Sequence, residues 1–392
     1  MIETEGSAGV VLDETPLTID TDIEARPVTR RIPGADVKQK QLDKLRSVTK
    51  DIAESGIVPT IIVAQIDPDA LGSAWGMQEI LRLLGVETVD IVYSGRVAHP
   101  QNEALCNKLG LLGKMTHISK VESISFPILV DSNRAKDSRL PFEIDPVIVV
   151  DHHRDSDIDD ADNKFVWLDE TAGSASTMIL EILAELVDDS WEFREDVALS
   201  LALGVYTDTK DMLSAGPRDR EAFGWAARYA NNTDLRALIR YKRPDSYYRN
   251  LATALQHYKH KHGRLVATVK SIPAKQGDDL SMIADEFLRK NGVTMAIVWG
   301  VIEIKNPTTG DTSKGVRVCA RSEDITTNLG SFLKERFGKA SGAKLLPDGQ
   351  AEGGALVQLE VGPWLKEDEM IEIIGRRIRE WLFDAQDDEL GE

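Results

Sequence analysis

The feature that most constrains this chain is a set of short β-branched runs that lead into acidic residues. The clearest run is Val147-Ile-Val-Val150, which stops at Asp151-His-His-Arg154. Continuous Val/Ile runs of this kind are typical of buried parallel strands. In open α/β sheets, ligands bind just beyond the carboxyl ends of such strands. We therefore expect Asp151, His152 and His153 at the edge of a sheet, although a polar turn after a strand explains the isolated triplet equally well.

The same arrangement recurs along the first half of the chain. Strands are predicted at 60–64, 89–93, 126–130, 147–150 and 164–168, and helical patterns separate most of them. Four of these strands lead into an acid, namely Asp67, Asp131, Asp151 and Asp169. Alternation of strand and helix favours a parallel sheet with crossover helices. Asp is also favoured at helix N-caps, which explains one or two of these acids but not the whole set.

The second half has a different pattern. A polar helical stretch at 218–262 is predicted to connect two domains, and a Gly-containing loop is predicted at 340–354. Further strands are predicted at 265–271, 294–304, 315–320 and 355–361, with helices at 280–290, 326–337 and 367–383. Residues 259–345 hold 15 Lys and Arg against 9 Asp and Glu. This local surplus of positive charge fits either a binding face for an anionic substrate or an ordinary solvated surface.

Composition excludes several classes of protein. No apolar run approaches the roughly 18 residues of a membrane helix, and no signal peptide is evident, so we expect a cytoplasmic protein that does not bind membranes. The net charge of −18 opposes binding to long duplex DNA. It is compatible with a small phosphorylated substrate held by metal ions. Cys106 and Cys319 are too few and too far apart in sequence to predict a disulfide framework.

Five short motifs follow one another along the chain. They are Asp67-Pro-Asp69, Asp131-Ser-Asn133, Asp151-His-His153, Thr207-Asp-Thr209, and Arg321-Ser322 followed by Gly353-Gly354. Over residues 57–362, this series resembles the DHH phosphoesterase superfamily. That superfamily includes RecJ-type exonucleases, oligoribonucleases with 3′-phosphoadenosine-phosphate phosphatase activity, cyclic-di-AMP phosphodiesterases and family II pyrophosphatases. The stretch at 95–102 resembles the RecJ and oligoribonuclease branch.

The resemblance implies roles for individual residues. The implied metal ligands are Asp67, Asp69, Asp131, His152 and Asp208, with Asp131 shared between two ions. The implied catalytic residues are His153, which would face the substrate, and Asp151, which would orient a histidine. The implied substrate contacts are His99, Asn102, Arg321, Ser322, Gly353 and Gly354. A position at the start of a helix explains His99 equally well. The implied cofactor is Mn²⁺, with Mg²⁺ or another divalent metal as alternatives.

The chain departs from the family pattern at one metal site. The family has a His four residues before the first acid or an Asp two residues before it, and these positions are Val63 and Gln65 here. Valine cannot bind a metal, and a neutral amide is a poor substitute for imidazole or carboxylate. The sequence therefore predicts one complete, tight site and one depleted, weak site. The segment Ala351–Ala355 also lacks the His that the family often carries there.

The sequence thus predicts an α/β protein with a parallel-sheet metal-binding domain and a smaller α/β C-terminal substrate-binding domain. The expected units are a flexible acidic arm at 1–36, the DHH domain at 37–240, a helical linker at 241–262 and a C-terminal domain at 263–385. The expected function is metal-dependent hydrolysis of a phosphoester in a small nucleotide or short single-stranded oligonucleotide. The alternative is a catalytically weakened protein that binds nucleotides as a sensor or self-assembles as a scaffold, and homo-oligomer formation stays open.

Overall fold

The computed structural model describes residues 39–97, 99–154, 156–188, 191–305, 312–345, 349–359 and 365–383. The predicted arm at 1–36 lies outside these ranges. Within them, two β-sheets with separate apolar cores divide the chain into an N-terminal and a C-terminal unit. No helix in the described ranges is both long enough and apolar enough to cross a membrane.

The N-terminal unit is built on a parallel sheet, as predicted. Its described strands are β1 (Thr60–Val63), β2 (Asp90–Tyr93), β3 (Thr116–His117), β4 (Pro127–Val130), β5 (Ile148–Asp151) and β6 (Phe165–Leu168). They lie in the order β3-β2-β1-β4-β5-β6, and every neighbouring pair is parallel. β3 was not predicted, because a two-residue strand carries no recognisable sequence pattern.

Apolar residues cover both faces of this sheet, which explains why its strands read as continuous β-branched runs. Ile61 and Val63 pack into the larger core, whereas Ile62 and Ala64 pack into a smaller core on the opposite face. The helices of this unit are α1 (Gln39–Ser55), α2 (Pro68–Leu83), α3 (Pro100–Leu109), α4 (Ala175–Leu186), α5 (Glu195–Asp208), α6 (Pro217–Tyr229) and α7 (Asn232–Ile239). Among them, α2, α4 and α5 pack against one another, which brings the start of α2 and the end of α5 together.

The C-terminal unit contains a second, mixed sheet. Its described elements are α8 (Asp245–Gln256), β7 (Lys259–Lys261), β8 (Arg264–Ser271), α9 (Asp279–Leu288), β9 (Met295–Lys305), β10 (Thr312–Ser322), α10 (Leu329–Phe337), β11 (Ser341–Leu345), β12 (Ala351–Leu359) and α11 (Glu367–Phe383). The strand order is β11-β12-β10-β9-β8-β7. Only the pair β8–β9 among these neighbours is parallel.

The predicted loop at 340–354 is wrong, because this stretch contains β11 and the first residues of β12. Gly353 and Gly354 are strand residues with a packing role. A Cβ atom at Gly353 would lie 2.6 Å from Leu333 Cδ1, and one at Gly354 would lie 2.8 Å from the carbonyl oxygen of Val318. Close packing against α10 and β10 therefore accounts for these two glycines.

The predicted helical connection at 218–262 also needs correction. Helix α8 carries Tyr247 and Ala254 into a core of the C-terminal unit, and β7 forms an edge of its sheet. Most of 241–262 is therefore integrated into the C-terminal unit. The exact domain boundaries stay predictions.

Candidate metal centre

The turn between β1 and α2 places two acids at the sheet edge. Asp67 is the N-cap of α2, and its Oδ1 accepts a hydrogen bond of 2.9 Å from Ala70 N. Asp69 is fully buried in the first turn of α2. Its carboxylate accepts hydrogen bonds from Ala175 N at 2.8 Å and Ser176 N at 2.7 Å. Asp69 therefore sits at the positive end of α4, which fixes the orientation of its carboxylate.

Helix α5 approaches this turn closely. A Cβ atom at Gly204 would lie 2.3 Å from Ser176 Oγ and 3.0 Å from Asp69 Cα. Because only glycine fits this contact, α5 can pass close enough to bring Asp208, one turn later, to the same site. Sequence reasoning selected Asp208 but missed Gly204, whose signal is a small residue four positions before the acid.

His152 lies at the point where these elements converge. Its Nε2 lies 3.3 Å from Asp208 Oδ2, 3.5 Å from Asp131 Oδ1 and 3.9 Å from Asp69 Oδ2. Its Nδ1 lies 3.3 Å from the carbonyl oxygen of Ala172. Donation from Nδ1 to this carbonyl leaves Nε2 free to act as a metal ligand, the arrangement that protein metal sites commonly use.

The crowding of acids perturbs their protonation. Burial and the neighbouring acids Asp69 and Asp67 raise the pKa of Asp131 well above its ordinary value. Burial and Asp208 raise the pKa of Asp69 to about 6 and that of Asp67 to about 7. For His152, burial lowers the pKa, but the nearby carboxylates of Asp131 and Asp208 outweigh burial and raise it to about 12. Without a metal cation, the cluster therefore holds protons that a cation would displace.

The four side chains form a set that fits a divalent cation. Ligand atoms of Asp69, Asp131, His152 and Asp208 all lie within 4.8 Å of one another. His152 Nε2 and Asp131 Oδ1 are buried and have no hydrogen-bond partner, a state that is costly unless something else satisfies these atoms. Three carboxylates and one imidazole suit Mn²⁺, Zn²⁺ or Fe²⁺. Asp67 is in neither of the two possible metal-binding groups that the described residues form, and its role as a ligand stays a prediction.

The second histidine of the motif faces a different partner. Asp151 is fully buried, and its Oδ1 lies 2.8 Å from His153 Nδ1. The Nδ2 of Asn133 donates to the carbonyl oxygen of His153 at 2.9 Å. The other ring nitrogen, Nε2, lies 3.2 Å from Lys344 Nζ, which comes from β11 of the C-terminal unit. Lys344 was not selected from the sequence, since the two residues are 191 positions apart.

A cavity of about 580 Å³ opens beside the centre and is lined by both units. Residues that line it include Gln65, Asp67, Arg96, His99, Asn102, Arg139, Asp208, Asp278 and Ser281. His99 caps α3 by accepting from Gln101 N at 3.3 Å. Asn102 donates to the carbonyl oxygen of Ile66 at 2.7 Å and so supports the turn that carries Asp67. Both residues therefore have positioning roles, and their contact with a substrate stays a prediction.

The predicted substrate residues Arg321 and Ser322 make their described side-chain contacts within the C-terminal unit. Arg321 Nε donates to Asp285 Oδ1 at 2.5 Å and lies 3.8 Å from Glu352 Oε1. Ser322 Oγ accepts from Asp324 N at 3.1 Å. These contacts stay within the C-terminal unit and do not join either residue to the metal centre. A substrate role for Arg321 and Ser322 therefore stays a prediction.

Comparisons with known proteins agree with this geometry. A family model described as the N-terminal domain of the DHH family matches residues 59–205. An uncharacterised protein of Methanocaldococcus jannaschii is 24% identical over 329 residues, which cover 80% of this chain and 64% of that protein. A probable manganese-dependent inorganic pyrophosphatase of Streptococcus thermophilus is 28% identical over 148 residues, which cover 36% of this chain and 45% of that protein.

The fold is also similar to a solved structure. An exopolyphosphatase-related protein from Bacteroides fragilis aligns with a TM-score of 0.61 at 13% identity, and the alignment covers 88% of this chain and 97% of that one. At this identity the likeness concerns the fold. It extends over both units, beyond the segment that the family model matches.

Proposed function

We propose, from the match of residues 59–205 to the DHH family model and from the acids and histidine gathered at the sheet edge, that this protein is a metal-dependent hydrolase of phosphoesters in small nucleotides or short single-stranded oligonucleotides. At the level of class, DHH proteins are phosphoesterases, so the family supports a hydrolase. The substrate and the choice of Mn²⁺ are the finer parts of the proposal.

One observation carries the proposal. Two buried atoms, His152 Nε2 and Asp131 Oδ1, lack hydrogen-bond partners and face each other between Asp69 and Asp208. A divalent cation would satisfy both atoms and offset the repulsion between the carboxylates. The pyrophosphatase relative is described as manganese-dependent, which supports Mn²⁺ as the first ion to test.

The chain's own residues supply the rest of the chemistry. When bound, a divalent cation polarises a phosphoryl oxygen and makes water more acidic. His153, oriented through Nδ1 by Asp151, presents Nε2 as the atom that can hydrogen-bond to the substrate or give a proton to the leaving group. Lys344 places its ammonium beside that nitrogen and can pair with a phosphate oxygen.

The cavity supports a substrate larger than inorganic pyrophosphate. Its volume of about 580 Å³ and its lining by both units fit a nucleotide or a short nucleotide chain. Arg96 and Arg139 line it and suit phosphate groups. The net charge of −18 argues against long duplex DNA.

A turnover screen tests the proposal. The full chain would be assayed with Mn²⁺ and with Mg²⁺ on di- to pentanucleotides, 3′-phosphoadenosine phosphate, cyclic dinucleotides and pyrophosphate. We expect metal-dependent release of phosphate or mononucleotide from at least one nucleotide substrate. Cleavage of pyrophosphate alone would contradict the proposed substrate class, and no turnover with any substrate would favour the alternative below.

The second candidate is a catalytically weakened nucleotide-binding protein that acts as a sensor or scaffold. The observation that favours it is the absence of a metal-binding side chain at Val63 and Gln65. Val63 is fully buried in the larger core of the N-terminal unit, away from any ligand role. Nucleotide binding without turnover would support this candidate.

A further inference from the structure

The position next to Asp67 and Asp131, where the family resemblance expects a second metal ion, does not fit one. Val63 cannot reach it, and the amide oxygen of Gln65 is already engaged: it accepts a hydrogen bond of 2.9 Å from Arg139 Nη1. The residues available for a second ion are therefore poorer than in the family pattern, and a cationic side chain lies at the same place.

Arg139 is held firmly in this position. Its Nε and Nη2 donate two hydrogen bonds to Asp137 Oδ2, at 3.0 Å and 2.5 Å. The side chain of Asp137 is only 5% exposed. The backbone carbonyl of Arg139 also accepts a hydrogen bond from Ser94 Oγ. The bonds to Asp137 occupy Nε and Nη2 of the guanidinium. The remaining nitrogen, Nη1, contacts Gln65, which lines the cavity.

The charge of Arg139 acts on the acids of the centre. Beyond the dominant hydrogen bond to Asp137, the charges of Asp131 and Asp67 raise the pKa of Arg139. A guanidinium fixed beside Gln65, in the cavity that Asp67 also lines, would repel a second divalent cation there. The planar guanidinium also presents N–H donors in a geometry that suits a phosphate group.

We propose that the guanidinium of Arg139 takes the place of the second metal ion, so that the centre binds one divalent cation and the arginine contacts the phosphoryl group beside it. The single ion is held by Asp69, Asp131, His152 and Asp208. This inference rests on the proposed function for its phosphoryl contact, but its metal stoichiometry can be measured without any turnover.

The first test is Mn²⁺ binding to the full chain by calorimetry and electron paramagnetic resonance. We expect one ion per chain and the hyperfine signal of an isolated Mn²⁺. Two ions per chain, or an exchange-coupled pair, would overturn the inference and leave the proposed function standing. No Mn²⁺ binding at all would overturn the proposed function together with the inference.

The second test restores the missing ligand. Gln65→Asp alone should still bind one ion, because Arg139 would pair with the new carboxylate. Gln65→Asp combined with Asp137→Asn and Arg139→Gln should bind two ions, and the paired neutral changes avoid leaving Asp137 buried and charged without its partner. A folded triple variant that still binds one ion would show that Arg139 does not exclude the second.

The third test concerns the phosphoryl contact. Inorganic phosphate would be titrated into the Mn²⁺-loaded parent and into the Asp137→Asn/Arg139→Gln variant. We expect about tenfold weaker phosphate binding in the variant. Equal affinity in two folded proteins would overturn the contact. Circular dichroism and melting temperature establish the fold, and the parent stoichiometry decides the question if the variants do not fold.

Discussion

At the scale of single residues, Asp131 combines an unfavourable backbone conformation with a central place among the acids. It follows β4 with a φ of +53°, a backbone conformation that costs energy in most residues and that asparagine and aspartate tolerate best. This turn aims its carboxylate at both histidines, 3.5 Å from His152 Nε2 and 3.7 Å from His153 Nδ1. The two groups of possible metal ligands share two residues, Asp131 and His152, and Asp131 is thus the acid that they have in common.

We therefore expect Asp131→Asn to weaken Mn²⁺ binding by at least about 100-fold and to abolish hydrolysis. The fold should remain, because one of several mutually repelling carboxylates is removed and asparagine tolerates the same φ. Calorimetry and the turnover assay measure these effects, and the exposed Asp162→Asn is the matched control. Unchanged turnover in a folded Asp131→Asn protein would remove the metal-hydrolase proposal.

The raised pKa values predict how stability depends on pH. Folding raises the pKa of Asp69 to about 6 and that of Asp67 to about 7, so between about pH 4 and pH 7 the folded state binds more protons than the unfolded state. The stability of the metal-free protein should therefore fall as pH rises through this window. The raised pKa of His152 acts in the same direction above pH 6.5.

This prediction is checked by chemical denaturation in EDTA at pH 5 and pH 8. We expect a lower free energy of unfolding at pH 8. Added Mn²⁺ should stabilise the protein more at pH 8 than at pH 5, because fewer protons have to be displaced there. Greater stability of the metal-free protein at pH 8 than at pH 5 would contradict the raised pKa values.

At the scale of elements, the distance between α5 and the first turn of α2 decides whether Asp208 can join the other acids. That distance depends on Gly204, where an added Cβ would lie 2.3 Å from Ser176 Oγ. Gly204→Ala should destabilise the fold by about 1–3 kcal/mol, the usual range for overpacking a core. It should also weaken Mn²⁺ binding, because α5 and Asp208 are pushed outward together.

Gly224→Ala is the control for this change. Gly224 also lies in a helix, α6, but an added Cβ there meets no atom within 4 Å. It should be neutral or slightly stabilising, since alanine favours a helix over glycine by about 1 kcal/mol. Equal effects of the two substitutions in thermal melts and metal titrations would show that close packing at Gly204 does not position Asp208.

The elements that the sequence predicted well are those whose pattern is local. β1, β4 and β5 are buried on both faces, and their runs of apolar residues stop near an acid. In contrast, β7 is the exposed sequence Lys-His-Lys and gives no apolar signal. β11 was missed and β12 was misplaced because Gly342, Gly353 and Gly354 fit a loop in sequence. Close packing accounts for Gly353 and Gly354, whereas a Cβ atom at Gly342 would meet no atom within 4 Å.

The residues of the site also divide into those with a local sequence pattern and those placed by the fold. Its acids and histidines stand in short motifs, so the sequence selected them. Arg139 and Lys344 reach the site through contacts across 74 and 191 positions. No local pattern distinguishes such an arginine or lysine from a solvated one, so only the fold could assign them.

At the scale of the whole molecule, residues of both units line the cavity beside the acids. Lys344 is the described residue whose side chain crosses from the C-terminal unit to the DHH motif, at 3.2 Å from His153 Nε2. Lys344→Gln should raise KM by about 5- to 20-fold, equivalent to roughly 1–2 kcal/mol for a lost charge-assisted contact, and lower kcat less.

Steady-state kinetics measure the effects of Lys344→Gln on KM and on kcat. Lys339→Gln is the matched control, since Lys339 is an exposed lysine of the same unit. An unchanged KM would mean that Lys344 does not face the substrate.

The origin of the proposed metal ligands has a consequence for how such proteins could diversify. Asp69, Asp131, His152 and Asp208 all come from the N-terminal unit, and the amides that orient Asp69 come from it as well. Under the proposed function, mutations in the C-terminal lining of the cavity leave these four residues in place. Specificity could then change through that lining while the proposed metal ligands stay the same, so that recognition and chemistry evolve in separate steps.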